Sequence, residues 1–249
     1  MFFDILRTYL GQNFLTDNKI RYYLSDRIKK IYDDLWCEVL IEIGPGKWSL
    51  TKLIHAISSD FFVIEKDKKL VWNGKLKVEW LEDVEVILGD VLYVDIEEEL
   101  KKRWKPPQKT LVVGNLPYYI TSPILKKFFG KWKQNYAGGI FMVQKEVADK
   151  LCTDTEKKSY LWRIINFAYE VLYLKTVPPK AFSPAPKITS ALIELKKKTQ
   201  KYNINFNKLL IFLEDFAPYS RKTLGAIAAM LKKKQNKHTE IKTDSFQSR

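Results

Sequence analysis

Residues 39–46 read Val-Leu-Ile-Glu-Ile-Gly-Pro-Gly, and the fold turns on them. Val39–Ile43 is a short run of apolar and β-branched side chains, the pattern of a buried strand. It runs straight into Gly44-Pro45-Gly46, with a helix start expected near Ser49. Glycines at a strand-to-helix turn let a ligand approach the backbone closely. The dinucleotide pattern G-x-G-x-x-G is not completed, because Ser49 stands at its last glycine position. That weighs against a nicotinamide oxidoreductase.

Working outward, similar apolar runs recur at Phe61–Ile64, Val84–Leu88, Leu111–Val113 and Ile140–Val143. Helical or capped segments separate them, beginning near Ser49, Asp67, Ile96 and Ser122. This β-α-β-α order predicts an α/β fold with a mostly parallel, doubly wound sheet. An N-terminal helix precedes it, capped by Asp17 or Asn18, with Ile20, Leu24, Ile28 and Ile31 on its inner face. A later strand-like run, Ile188–Leu195, ends in Lys196-Lys197-Lys198. Phe206–Phe216 and Arg221–Leu231 then carry helical spacing, and the tail after Lys232 is polar. The expected organisation is a catalytic domain over residues 1–195 and a small basic helical domain over 196–249.

The 249 residues carry a formal net charge of +14. Residues 195–249 hold 13 Lys and Arg against 4 Asp and Glu, so most of the excess lies at one end. Concentrated positive charge points to a polyanionic partner such as nucleic acid. Cys37 and Cys152 have no metal-ligand spacing and read as reduced thiols. No metal site is expected. No run of 18 apolar residues occurs, so no membrane partner is expected. Met1–Arg7 lacks a signal peptide's order, and the expected location is the cytoplasm.

Three strand ends carry polar groups. Gly44 and Gly46 end the first. Glu65 ends the second, 19 residues past Gly46, close to the spacing at which an acid reaches ribose hydroxyls. Gly89-Asp90 ends the third, and Asp90 is placed to accept from the adenine amino group of a bound nucleoside. The fourth ends in Gly114-Asn115-Leu116-Pro117-Tyr118, the most informative stretch. Adenine N6 is a poor nucleophile, because its lone pair is delocalised into the ring. Methylating it needs acceptors that hold the N–H groups and favour a pyramidal nitrogen. The Asn115 side-chain oxygen and the Leu116 carbonyl are such acceptors. Pro117 pins the local backbone, and Tyr118 offers a ring on which an extruded base stacks. Asn115 is neutral, so no general base is assigned.

At these residues the chain resembles the KsgA/Dim1 family of ribosomal RNA small-subunit adenine N6,N6-dimethyltransferases. The resemblance covers roughly residues 10–225. It begins at Gly11-Gln12-Asn13-Phe14-Leu15 and continues through Glu42–Gly46, Leu50-Thr51, Ile64-Glu65, Gly89-Asp90 and Gly114–Tyr118. Gln144–Val147, Val177–Pro179, Ala181–Pro184 and Pro186-Lys187 complete it. It implies a class I methyltransferase domain with S-adenosylmethionine as donor. It implies that Gln12, Asn13 and Leu15 join Gly44, Gly46, Glu65, Asp90 and Asn115 around the donor. Phe182 is implied as a second aromatic wall near the target base. The implied substrate is a pair of adjacent adenosines in a hairpin loop near the 3′ end of small-subunit rRNA, each methylated twice, within a partly assembled subunit. A monomer is expected. Four departures stand out: Trp48 in place of a small residue, Tyr119 in place of Asn, Leu161 in place of Gly, and Tyr219-Ser220-Arg221-Lys222 in place of a more basic run.

Two rivals remain beside the oxidoreductase. A resistance-type methyltransferase acting on large-subunit rRNA shares fold and chemistry; Leu116 after Asn115 and the 177–187 segment resemble it less well. A non-catalytic nucleic-acid-binding relative leaves Glu65, Asp90, Asn115 and Tyr118 without a purpose.

Overall fold

The computed structural model describes residues 13–72, 84–130, 136–153 and 158–199, with Ile211 and Ala226. The chain divides into two compact units, Met1–Gln200 and Lys201–Arg249. In the second, the described Ile211 and Ala226 are both helical. The helices expected over 206–216 and 221–231, and the polar tail, otherwise lie outside the described residues.

The first unit is built on a seven-stranded sheet. β1 (Phe14–Leu15) lies outside it; β2 (Val39–Ile43), β3 (Asp60–Glu65), β4 (Glu85–Leu88), β5 (Thr110–Asn115) and β6 (Gly138–Gln144) form its parallel part. β7 (Tyr169–Val177) and β9 (Ser190–Lys197) extend it, and β8 (Phe182–Ser183) pairs with β1 instead. The sheet order is β4-β3-β2-β5-β6-β9-β7, with β9 antiparallel to both β6 and β7. Each expected strand falls on one of these. β2 is buried at every position, Glu42 included, which explains why its apolar residues do not alternate with exposed polar ones.

Helices cover both faces. α1 (Asn18–Asp34) starts at Asp17, whose side chain accepts from the Ile20 N–H at 3.0 Å, so the cap is Asp17. Its buried stripe is Ile20, Leu24, Ile28 and Ile31, as the spacing predicts. This stripe packs on one face of the sheet with Leu40, Val63, Val113 and Met142. The alternate residues point the other way. There, Phe129 of α5 (Thr121–Phe129) meets Phe141 and Tyr169 edge-on, with ring centroids 5.5 and 5.0 Å apart. α2 (Thr51–Ile54), α3 (Lys68–Trp72) and α4 (Ile96–Lys102) connect the parallel strands. α6 (Lys145–Cys152) and α7 (Tyr160–Ala168) follow β6.

β7 is the long element that the sequence pattern does not announce. α7 ends at Ala168 and β7 starts at Tyr169, with no glycine or proline between them. The apolar run is continuous, so neither period dominates.

An ion pair with a buried carboxylate and a partly exposed arginine ties the helical layer to the sheet. Arg27 of α1 donates from Nε and Nη2 to the two oxygens of Glu194 on β9, at 2.5 and 2.9 Å. The Glu194 side chain is fully buried, and Lys196 Nζ is its more distant neighbour at 3.8 Å. Removing the arginine strands the carboxylate in the core. Arg27→Ala is therefore expected to cost about 3 kcal/mol in urea unfolding, and a combined Arg27→Met, Glu194→Leu variant to recover most of it. A loss under about 0.5 kcal/mol for Arg27→Ala would assign the pair to the screened surface class instead.

Candidate active site

The order of strands reverses about β2. The chain moves outward from β2 to β3 and β4, then returns to place β5 on the other side of β2. Such a switch point opens a crevice beyond the carboxyl ends of the strands. The register fixes what arrives there. Ile43 is opposite both Ile64 and Gly114, so Gly44, Glu65 and Asn115 come next along three adjacent strands. A cleft forms at that edge, lined among others by Asn13, Glu42, Gly44, Glu65, Asp90 and Asn115.

The glycine loop is left-handed at both glycines, with φ of +63° at Gly44 and +57° at Gly46. No atom lies within 4 Å of the point where a Cβ would stand on Gly44. At Gly46 that point is 2.9 Å from the Phe14 ring. The loop thus presents bare backbone on one side and rests on Phe14 on the other. Trp48 shares the left-handed geometry, with φ of +62°. The strain costs roughly 1–2 kcal/mol; the indole is buried in the core, where its ring packing works against that cost and its unpaired Nε1–H adds to it.

Three carboxylates and two amides line the cleft, from Glu42, Glu65, Asp90, Asn13 and Asn115. Glu65 is buried; its oxygens accept from the Gly46 N–H at 3.3 Å and the Asp67 N–H at 2.8 Å. Burial raises its pKa, against the pull of those N–H groups. For Asp90 burial also works to raise the pKa, but the Leu92 N–H and the Lys66 ammonium, at 2.9 Å each, outweigh it and hold the group below the usual carboxylate range. Glu42 is fully enclosed. Burial pushes its carboxyl up to about 8, reinforced by Glu65 and opposed by the Thr51 hydroxyl, which donates to it at 2.7 Å.

Asn115 is held by its amide nitrogen, which donates to the Asn13 backbone carbonyl at 2.8 Å. A carbonyl only accepts, so the group facing it is the NH2. The Asn115 Oδ1 is thereby turned away as an acceptor. Leu116 follows with its N–H given to the Met142 carbonyl. Tyr118 begins a short 3-10 turn, Tyr118–Ile120, and its hydroxyl meets Ser190 Oγ at 2.5 Å.

Asn13, Leu15, Gly44, Gly46, Glu65, Asp90, Asn115, Leu116, Pro117 and Tyr118 thus all line one cleft. Gln12 lies outside the described residues. Phe182 is not among the lining residues: it is buried opposite Leu15 in the β1–β8 pair and belongs to the core. Phe14 also lines the cleft, with the Lys47 ammonium 4.8 Å from its centroid. Phe14 and Glu42 were not singled out by sequence reasoning as site residues. The contact of Phe14 with Gly46 and the enclosure of Glu42 are both tertiary. Among the described residues, no group of three or more His, Cys, Asp or Glu is arranged to hold a metal, and no helix is long and apolar enough to cross a membrane.

A bare glycine loop, two acidic strand ends and an apolar wall from Ile64, Val91 and Leu116 fit a nucleoside carrying a positively charged sulfonium. Fold and cleft together define a class I, S-adenosylmethionine-dependent methyltransferase. The ribosomal RNA adenine dimethylase family model matches residues 4–245. Ribosomal RNA small subunit methyltransferase A of Mesoplasma florum is 36% identical over 221 residues, 86% of this chain and 80% of that protein. The protein of the same name from Halothermothrix orenii is 36% identical over 208 residues, 79% of this chain and 67% of the relative. A dimethyladenosine transferase from Plasmodium falciparum superposes with a TM-score of 0.68 at 23% identity, over 86% of this chain and 74% of that one. The 23S rRNA methyltransferase ErmE gives 0.62 at 23% identity, over 81% and 78%. The chain belongs to the ribosomal RNA adenine dimethylase family.

Glu42 provides a test of the site's electrostatics that needs no substrate. In the folded protein it takes up its proton below about pH 8, against 4.5 as its ordinary value. Between those values folding binds a proton, so its contribution to stability falls as pH rises, by up to ~1.4 kcal/mol per unit. Glu42→Gln is expected to gain steadily on the wild type in urea unfolding across that window. A constant difference across it would show that Glu42 folds in its ionised form.

Proposed function

We propose that this protein transfers methyl groups from S-adenosylmethionine to N6 of two adjacent adenosines in a hairpin loop near the 3′ end of small-subunit rRNA, giving N6,N6-dimethyladenosines. The observation that carries the reading is the Asn115 amide, whose nitrogen is tied to the Asn13 carbonyl, leaving its oxygen as an acceptor beside Tyr118. Relatives 32–36% identical that bear the small-subunit name favour this substrate over large-subunit rRNA.

On this reading Glu65 takes the ribose hydroxyls of the donor and Asp90 its adenine amino group. Gly44 and Gly46 admit the donor against bare backbone, and Asn13 and Leu15 close the site from the N-terminal segment. When bound, the donor supplies an electrophilic methyl group. The rest is the work of this chain. Asn115 Oδ1 and the Leu116 carbonyl accept the hydrogens of adenine N6 and favour the pyramidal geometry in which its lone pair is available. Tyr118 stacks on the base that has left its helix, worth about 1–3 kcal/mol. Loop adenosines are already partly unstacked, which lowers the cost of extrusion. No base is assigned among the described residues: Asn115 is neutral, the proton leaves the methylated N6 to solvent after transfer, and positioning with oriented acceptors supplies the catalysis.

The basic 196–249 segment, with its 13 Lys and Arg, is assigned to phosphate contacts; Lys196 and Lys197 belong to β9 of the first unit, and the second unit begins at Lys201. The proposed substrate is a partly assembled small subunit in the cytoplasm, and the enzyme acts as a monomer.

Mass-spectrometric mapping of undermethylated small subunits after reaction is expected to find two adjacent dimethylated adenosines. Methylation confined to large-subunit RNA would support the rival substrate, and none at all a binding role. The residue assignments separate by readout. Asn115→Ala is expected to lower turnover by about 10²–10³ with donor affinity, by calorimetry, within a few-fold. Glu65→Ala is expected to weaken donor binding by roughly tenfold or more. Equal losses of turnover and affinity in the Asn115 variant would make that residue structural.

A further inference from the structure

We propose that Ser190 is a positioning residue for the target base, acting by holding the Tyr118 ring in its stacking orientation through the hydroxyl–hydroxyl hydrogen bond. The inference rests on the reading that Tyr118 stacks the target adenine.

Ser190 is the first residue of β9 and is wholly buried. It sits between Gln144 of β6 and Val177 of β7. The residues after it, Ala191, Leu192 and Ile193, are apolar and equally enclosed. Serine is a weak choice for such a place: it lacks the branched bulk that packs an interior strand. A buried hydroxyl also costs free energy unless bonded. The bond is there, to the Tyr118 phenol at 2.5 Å, across 72 residues of sequence.

The backbone of Tyr118 is fixed by other means. Pro117 precedes it, and the Pro117 carbonyl accepts both the Ile120 N–H and the Thr121 hydroxyl, at 3.1 Å each. Those bonds place the turn but leave the side-chain torsions open. Ser190 supplies the constraint at the far end of the ring. It reaches the phenol from outside the cleft, since Ser190 is not one of its lining residues and Tyr118 is. Burial raises the Tyr118 pKa, so the phenol keeps its proton and the link persists at neutral pH. A ring fixed at both ends meets an incoming purine face already oriented, which lowers the ordering cost of each encounter.

The test combines Ser190→Ala, Ser190→Thr, Tyr118→Phe and the double variant Ser190→Ala, Tyr118→Phe. Single-turnover methyl transfer to undermethylated small subunits is measured with radiolabelled donor, alongside donor affinity by calorimetry and stability by urea unfolding. Ser190→Ala and Tyr118→Phe should each slow transfer by about tenfold while donor affinity stays within about twofold. The double variant should be no slower than either single one, because both remove the same bond. Ser190→Thr, which keeps the hydroxyl, should restore the rate to within about threefold. Losses that multiply in the double variant, wild-type transfer by a folded Ser190→Ala or Tyr118→Phe protein, or a folded Ser190→Thr protein as slow as Ser190→Ala, would each overturn the proposal. Those outcomes leave the functional reading intact provided the wild type methylates adenosine; a wild type that methylates none overturns both.

Discussion

The position of β2 between β3 and β5 is the constraint on which the rest depends. One strand hydrogen-bonds in parallel to both neighbours with Ile43 opposite Ile64 and Gly114. That shared register delivers the glycine loop, Glu65 and Asn115 to a single edge. A slip of one residue in either pairing would turn a carboxylate or an amide to the opposite face of the sheet. The apolar packing on both faces therefore does more than stabilise. The aliphatic stripe of α1 on one side and the edge-on rings of Phe129, Phe141 and Tyr169 on the other lock the register that assembles the cleft.

Within that edge the charges are graded rather than uniform. Glu42 is enclosed and keeps its proton to about pH 8. Glu65 is raised in the same sense but is held by two backbone N–H groups. Asp90 is pulled the other way by Lys66 and the Leu92 N–H. The result is a cleft whose acidity rests in groups that also anchor the backbone of its own loops. Carboxylates anchored in this way cannot easily swing away, the arrangement that electrostatic preorganisation requires.

Much of this was legible in the sequence because it is local. An apolar run that ends in glycine or an acid states both the strand and what stands at its tip, and the four strand ends are of that kind. The Asp17 cap and the 20, 24, 28, 31 stripe are likewise written in spacing. What escaped is non-local. The Asn13 carbonyl that orients Asn115 lies 102 residues away, and the Ser190 hydroxyl 72 residues from Tyr118. Phe182, implied as a wall for the target base, is buried beside Leu15 in a two-residue ladder that joins residues far apart in the chain. Tyr169–Val177 hid behind a helix that passes into it without a break. Trp48 read as a departure near the donor loop; its meaning comes only from a backbone torsion, a left-handed φ of +62°.

The β1–β8 ladder has a consequence for how the enzyme comes into being. Residues 14 and 15 are held by residues 182 and 183, and the Thr16 and Asp17 N–H groups by the Ala181 carbonyl. The carbonyl that aims Asn115 thus belongs to a segment whose anchor is among the last parts of the first compact unit to be synthesised. A growing polypeptide that has already made β2 through β6 still lacks the clasp for its own beginning. The cleft is completed only when the two distant stretches meet.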